Sequence, residues 1–281
     1  MSPLLALLSS LLWGVSDFLG GTASRRLPVQ TVLGISQLTA LVLLVVLAAL
    51  TGAFDAPTGY VLPAAAAGAT GVVALGMFYR ALSIGTMGVV APVAALGVAV
   101  PVVVGVLRGE HPSTLQAVGI GVAVVGVVLA SGPELSGEGG GGALALVLAL
   151  GAALGFGAVL VLVAQASDGD DSGAVVMTLI TMRVTSVALI GLAVVAQRRR
   201  LDLRRTDLPV LGVTGAGDAG ANALYAVASR SALVSVTAVL ASLYPVVTAL
   251  LAYRLHGERL RRVQVAGVGV TLAGVALLAG G

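Results

Sequence analysis

The chain contains no cysteine and no lysine, and among its 281 residues only 10% are charged and 4% aromatic. Without cysteine there is no disulfide framework, thiolate nucleophile or cysteine-ligated metal centre. So few charges cannot cover a soluble surface, which takes about 25% charged residues. The ten-residue alternation of a membrane β-barrel is also missing. His111 and His256 are single loop histidines with no third ligand near them in sequence, so no metal is expected. Neither a phosphate-binding loop nor a nucleophile-and-base set is found, so neither an ATP-driven pump nor an enzyme is expected, and no cofactor.

What the chain does contain is apolar residues, 58% of the total, with 39 glycines. They fall into long runs, and about 20 apolar residues in a helix cross the ~30 Å of a bilayer. Uncharged windows span residues 27–54, 56–79, 81–107, 111–133, 139–167, 231–253 and 263–281. Windows with one charge each span 2–24 with Asp17, 172–197 with Arg183 and 208–229 with Asp218. Ten spans are therefore expected in an all-α integral membrane protein. The first reads as a retained helix, since it has no basic start and no small-residue cleavage pattern.

At a shift of 148 residues the chain matches itself. Gly109-Glu110 pairs with Gly257-Glu258, Gln116 with Gln264, Gly119 and Gly121 with Gly267 and Gly269, and Gly126-Val127 with Gly274-Val275. Glutamate and glutamine are rare here, so their agreement in register weighs more than the glycines. A glycine-rich segment, residues 132–142, separates a first half, 1–131, from a second, 143–281, with five spans in each. An odd number of spans per half turns the second copy over, which predicts two inverted five-helix repeats and alternating access.

These features resemble the EamA-type branch of the drug/metabolite transporter superfamily. The residues that carry the resemblance are Leu12-Trp13-Gly14, the aromatic-Tyr and Leu-Tyr pairs ending at Tyr79 and Tyr225, Pro245, and the Gly-Glu pairs followed by glutamine and spaced glycines. The resemblance implies a secondary transporter of the cell membrane that moves a small organic molecule, an amino acid or drug-like compound, as a monomer or homodimer.

Ionisable groups in mid-membrane are expensive and need a cavity or a partner. Asp218, Asn222 and Tyr225 follow the i, i+4, i+7 spacing of one helical face. Asp218 reads either as a structural partner of an arginine or as a desolvated cavity carboxylate that exchanges a proton or holds a cation. Arg183 lies too deep to reach an interface and keeps its charge, so it needs Asp218, Asp17 or an anionic substrate. Gln37 stands at its place in the first half. Trp13, one turn before Asp17, reads as a cavity wall, and Tyr79 and Tyr244 as further wall residues. Asp17 is expected close to Arg25 and Arg26, and Arg80 at the interface. Pro92, Pro101 and Pro245 break or kink their helices, as binding and gating segments often do. Gly215-Ala216-Gly217-Asp218-Ala219-Gly220 spells a dinucleotide fingerprint, but it lies within a span with no strand before it, so its glycines read as helix contacts.

The function expected is export of a small organic metabolite by alternating access with proton coupling. A passive facilitator or exchanger and a flippase-like carrier of a lipid-linked group are the alternatives. The arginines lie in connecting loops rather than on a basic face, so no nucleic-acid partner is expected. The expected partners are the bilayer, the substrate and protons. Loops after odd-numbered spans hold Arg25, Arg26, Arg80, Arg198, Arg199, Arg200, Arg204, Arg205, Arg254, Arg259, Arg261 and Arg262, whereas those after even-numbered spans hold Arg108 and Arg230. By the positive-inside rule both termini then face outward, although the resemblance implies that they face inward.

Overall fold

The computed structural model describes residues 2–55, 58–107, 109, 113–135, 141–166, 172–198, 203–231, 240 and 243–280. Residues 136–140 of the glycine-rich segment, His111, Glu110, Arg108 and most of residues 232–242 in the ninth span lie outside them. Among the described residues the chain is helical and has no strand.

The helices are α1 (Ser2–Ala23), α2 (Val29–Thr51), α3 (Val61–Ile84), α4 (Met87–Ala94), α5 (Ala99–Leu107), α6 (Thr114–Leu135), α7 (Gly141–Ala166), α8 (Ser172–Ala196), α9 (Leu208–Ser231), α10 (Tyr244–His256) and α11 (Arg262–Gly280). Among the described residues six apolar stretches are long enough to cross a membrane, at Leu4–Ala23, Val29–Thr51, Thr58–Ile84, Met87–Leu107, Gly142–Ala166 and Gly173–Ala196. Thr114–Ala130 and Arg262–Leu278 are shorter apolar helices. α9 is less apolar because it carries Thr214, Asp218 and Asn222 among its glycines. The outer surface is leucine and valine, with Leu50 and Leu62 each 80% exposed and Leu107 81%. A surface of this kind suits hydrocarbon, not water.

Breaks in the helices fall where proline and glycine place them. Pro92 lies inside α4, which gives way to a 3₁₀ turn at Ala95–Val98 before α5 begins. Pro101 is the third residue of α5 and Pro245 lies in the first turn of α10, where a missing N–H costs no helical hydrogen bond. Both prolines thus start helices instead of kinking them from within. In the 3₁₀ turn Gly97 sits against the backbone of α7 at Ala153 and Gly157, leaving no room for a Cβ.

Helices of the first half pack on helices of the second. α1 lies against α9 and α10, α3 against α7 and α8, α2 against α8 and α9, and α6 against α11. Small residues make these approaches close. Gly215 of α9 meets the backbone of Ser36, Gly217 meets Ser16, and Gly220 meets Leu12. The apparent dinucleotide fingerprint is therefore a helix-packing face.

The residues that match at a shift of 148 hold matching positions. Gly109 and Gly257 both have positive φ, 89° and 67°. Gln116 Oε1 accepts the Ser113 N–H at 3.0 Å, and Gln264 Oε1 accepts the Arg261 N–H at 2.9 Å, each at the start of its helix. Gly126 and Gly274 lie against the backbone of the opposite helix in the α6–α11 contact, whereas Gly121 and Gly269 both face open space.

Candidate functional site

α9 presents Asp218, Asn222 and Tyr225 on one face, as their spacing requires. Asn222 Nδ2 donates to the Asp218 main-chain oxygen at 2.7 Å and to its Oδ1 at 3.3 Å, which fixes the carboxylate. Arg183 of α8 completes the pair: its Nη2 donates to Asp218 Oδ2 at 2.6 Å, and its Nη1 to Gln37 Oε1 of α2 at 2.7 Å. Arg183 is buried. Of the partners open to it from sequence, Asp218 is the one it meets. Gln37, marked there only by its place in the first half, is the second. Among the described residues Arg183 Nε makes no hydrogen bond.

α1 brings Trp13 and Asp17 to the same region. Trp13 and Asp218 lie each ten residues, ~15 Å of helix, from the helix ends at Ala23 and Leu208. The Trp13 ring lies 5.7 Å from that of Tyr225 and 6.5 Å from that of Tyr244, edge-on to the latter. Asp17 is within electrostatic reach of Asp218, Tyr79 and Tyr244. Tyr79 of α3 is buried and its ring packs over Gly20, one turn beyond Asp17. Trp13, Asp17, Asn222, Tyr225 and Tyr244 are half-buried, and α1 packs against both α9 and α10. Five helices, two from the first half and three from the second, thus bring all eight residues named from sequence into one cluster: Trp13, Asp17, Tyr79, Arg183, Asp218, Asn222, Tyr225 and Tyr244.

Arg25 and Arg26 do not serve Asp17, although sequence proximity suggested it. Arg25 Nη2 pairs with Glu258 Oε1 at 2.7 Å, and Arg26 Nη2 with Asp207 Oδ1 at 3.4 Å. Arg25 also donates to His256 Nδ1. Arginine has no acceptor, so Nδ1 is unprotonated and the proton sits on Nε2, 3.1 Å from Thr22 Oγ1. The His256 ring packs on Phe18 with centroids 5.0 Å apart. Glu258 Oε2 in turn accepts the Gly88 N–H at 3.4 Å, at the start of α4. Burial and the Arg25 charge hold the His256 pKa below its ordinary value, against the pull of Glu258.

This latch ties the end of α1 in the first half to the loop after α10 in the second, on the arginine-rich end of the bundle. Beneath it the core is tight: Phe18, Phe78, Tyr79, Leu82, Met87 and Val90 are all buried. Sequence reasoning set His256 aside as an isolated histidine and used Glu258 only as a repeat marker. The pairing joins residues more than 230 positions apart, and local spacing carries no sign of it. Among the described residues no group of histidine and acidic side chains could hold a metal.

A separate groove of about 740 Å³ lies between α2, α3 and α8, lined by Leu33, Val72, Gly76 and Ile190 among others, with the exposed Arg80 at its edge. It shares no residue with the central cluster.

No curated protein matches this chain in sequence. A solved structure described only as "Crystal structure of protein" has the same fold, with a TM-score of 0.67 and 15% identity over 98% of this chain and 95% of that one. The model of the EamA-like transporter family matches residues 1–132 and again 143–280. Two matches that together take in nearly the whole chain show that this protein belongs to the EamA-like transporter family, membrane transporters of the drug/metabolite transporter superfamily.

Proposed function

We propose that the chain is a ten-helix secondary transporter of the plasma membrane, built from two inverted five-helix repeats, that moves a small organic metabolite outward in exchange for protons. The observation that carries this reading is the convergence of charged, amide and aromatic side chains from both halves at mid-membrane depth, below an end closed by the Arg25–His256–Glu258 latch. The pairing of α1 with α9 and of α3 with α7, and the matched glycines and glutamines, support the inverted symmetry. In such a pair of repeats, exchange of shapes between the halves opens the site to each side in turn.

Asp218 is bound to Arg183 and Asp17 stands near it on α1, so the cluster holds two carboxylates and one guanidinium. The direct Arg183–Asp218 contact also favours a second reading, a passive facilitator in which this pair only holds α8 to α9. Purified protein in liposomes, screened against a metabolite panel with and without a pH gradient, separates the two. Accumulation driven by the gradient is expected. Substrate exchange indifferent to the gradient would establish the facilitator.

A further inference from the structure

The groove between α2, α3 and α8 takes no part in the central cluster, and its walls change in character along its length. Its deeper part is apolar, lined by Leu33 of α2, Val72 of α3 and Ile190 of α8. Val73 and Leu189 line it too and are 60% and 38% exposed, so it opens sideways onto the leucine and valine surface of the bundle. From Arg80 to Val72 it follows α3 for eight residues, ~12 Å, most of the ~15 Å that one leaflet contributes to the hydrocarbon. Its volume of about 740 Å³ is that of a ligand pocket, not of a packing defect.

The end of the groove at the membrane edge carries hydrogen-bond donors and no acid. Ser24, Val29, Gln30 and Arg80 line it, and no aspartate or glutamate lines the groove anywhere. Val29 and Gln30 open α2, whose N-cap, Pro28, supplies no side-chain hydrogen bond. The Pro28 main-chain oxygen accepts from Thr31 and Val32, while among the described residues the N–H groups of Val29 and Gln30 meet no acceptor. A helix start in this condition attracts anions. Ser24 is only 6% exposed, and among the described residues its Oγ has no hydrogen-bond partner. Arg80 is exposed and forms no ion pair among the described residues, whereas Arg25 and Arg26 at the same end are taken up by Glu258 and Asp207.

We propose that this groove binds an anionic phospholipid from the leaflet at the arginine-rich end. The phosphate lies on the Val29 and Gln30 N–H groups and the Arg80 guanidinium, and one acyl chain runs down the groove along Leu33, Val72 and Ile190. A zwitterionic headgroup would bring an ammonium to an end with no carboxylate to receive it, and a soluble anion would leave the apolar length unfilled. On the charge count this end faces the cytoplasm, the side where anionic lipids give the membrane its negative surface potential and where basic pockets between helices take their headgroups. α2 and α3 belong to the first half and α8 to the second, so the lipid fills a seam between the halves and steadies the arrangement in which that seam exists.

Native mass spectrometry of the purified full chain in detergent tests this with dioleoyl phosphatidylglycerol and dioleoyl phosphatidylcholine, which share their chains and phosphate and differ in net charge. Phosphatidylglycerol should bind at least about fivefold more tightly, the factor that one basic residue near the surface contributes toward an anionic lipid. Inorganic phosphate in excess should not displace it. Arg80→Gln should remove the preference between the two lipids. Gly76 lines the groove with space for a side chain, a Cβ there coming no nearer than 3.6 Å to Leu33. Gly76→Leu should therefore fill the groove and weaken phosphatidylglycerol to the level of phosphatidylcholine, without lowering the unfolding temperature of the lipid-free protein. Equal binding of the two lipids by wild type overturns the proposal, and this comparison needs no variant. Displacement by inorganic phosphate overturns it in favour of a soluble anion. Phosphatidylglycerol bound as tightly by folded Gly76→Leu as by wild type overturns it too, since the lipid would then lie on the outer surface and not in the groove.

Discussion

The Arg183–Asp218 contact invites a double-mutant cycle, because its two halves are unequal in what they leave behind. At 2.6 Å and an effective dielectric constant of about 20, the attraction is about 6 kcal/mol. Desolvation of both groups cancels much of that, so the intact pair adds little net stability, but removing one partner strands the other at a cost of roughly 3–5 kcal/mol. Asp218→Asn leaves Arg183 charged, with Gln37 as its remaining acceptor, and arginine cannot shed its proton. Arg183→Gln leaves Asp218 with Asn222, and a carboxylate can escape by taking up a proton. Asp218→Asn should therefore be the more damaging change. Removal of both partners should bring the protein back to within about 2 kcal/mol of wild type, since no orphan charge remains. Thermal unfolding in detergent reads this out; at about 2 °C per kcal/mol for a chain of this size, the single losses are roughly 6–10 °C. Single losses that simply add in the double variant would refute the reasoning, because groups that add do not interact.

At the α6–α11 contact, Gly126→Ala should lower the unfolding temperature, since its methyl group would meet the Thr271 backbone, while Gly121→Ala, facing open space, should be neutral or slightly stabilising. For His256 the sign follows from a pKa held below the ordinary value: the latch is complete above the usual histidine range and loosens as pH falls through the lowered value, when Nδ1 gains a proton and can no longer accept from Arg25. A cysteine placed at Leu19 should therefore become more reactive toward a methanethiosulfonate reagent on acidification, and the dependence should vanish with His256→Gln. Equal pH dependence in both proteins would remove His256 from the gate. The arginine bias predicts that a cysteine at Ser2 is labelled from outside intact cells and one at Leu201 is not; the reverse pattern would place the termini inside.

The spans and the site were readable to different depths in the sequence. Charge-free windows located the long helices because hydrocarbon admits no alternative to a satisfied backbone. Asp218, Asn222 and Tyr225 were readable because one helical period places them together. Arg183 was readable as a residue in need of a partner, but the choice between Asp17 and Asp218 depended on how α8 and α9 both pack on α2, which periodicity does not encode. The proline positions announced broken helices without showing that Pro101 and Pro245 begin new ones. Least legible was the latch: Thr22, Arg25, His256 and Glu258 are ordinary loop and helix-end residues until α1 and α10 are laid side by side. The repeated glycines gave a mixed signal, since Gly126 and Gly274 are sterically required while Gly121 and Gly269 touch nothing.

The packing of each half on the other sets a timetable for synthesis. α1 finds its main neighbour only when α9 has been made: Ser9 donates to the main chain of Ala221, 212 residues later. At about 5–20 residues per second, the ribosome takes roughly 10–40 s to cover that distance. Until then Asp17 sits in a helix that has α3 beside it but lacks α9 and α10, and the insertion machinery must hold it there. Arg183 has a shorter wait, 35 residues before Asp218 arrives, or roughly 2–7 s. Gln37 is already in the membrane by then and can hold the guanidinium in the meantime. A Gln37→Leu chain should accordingly show its defect in yield, through degradation during insertion, more than in the melting temperature of the molecules that complete assembly.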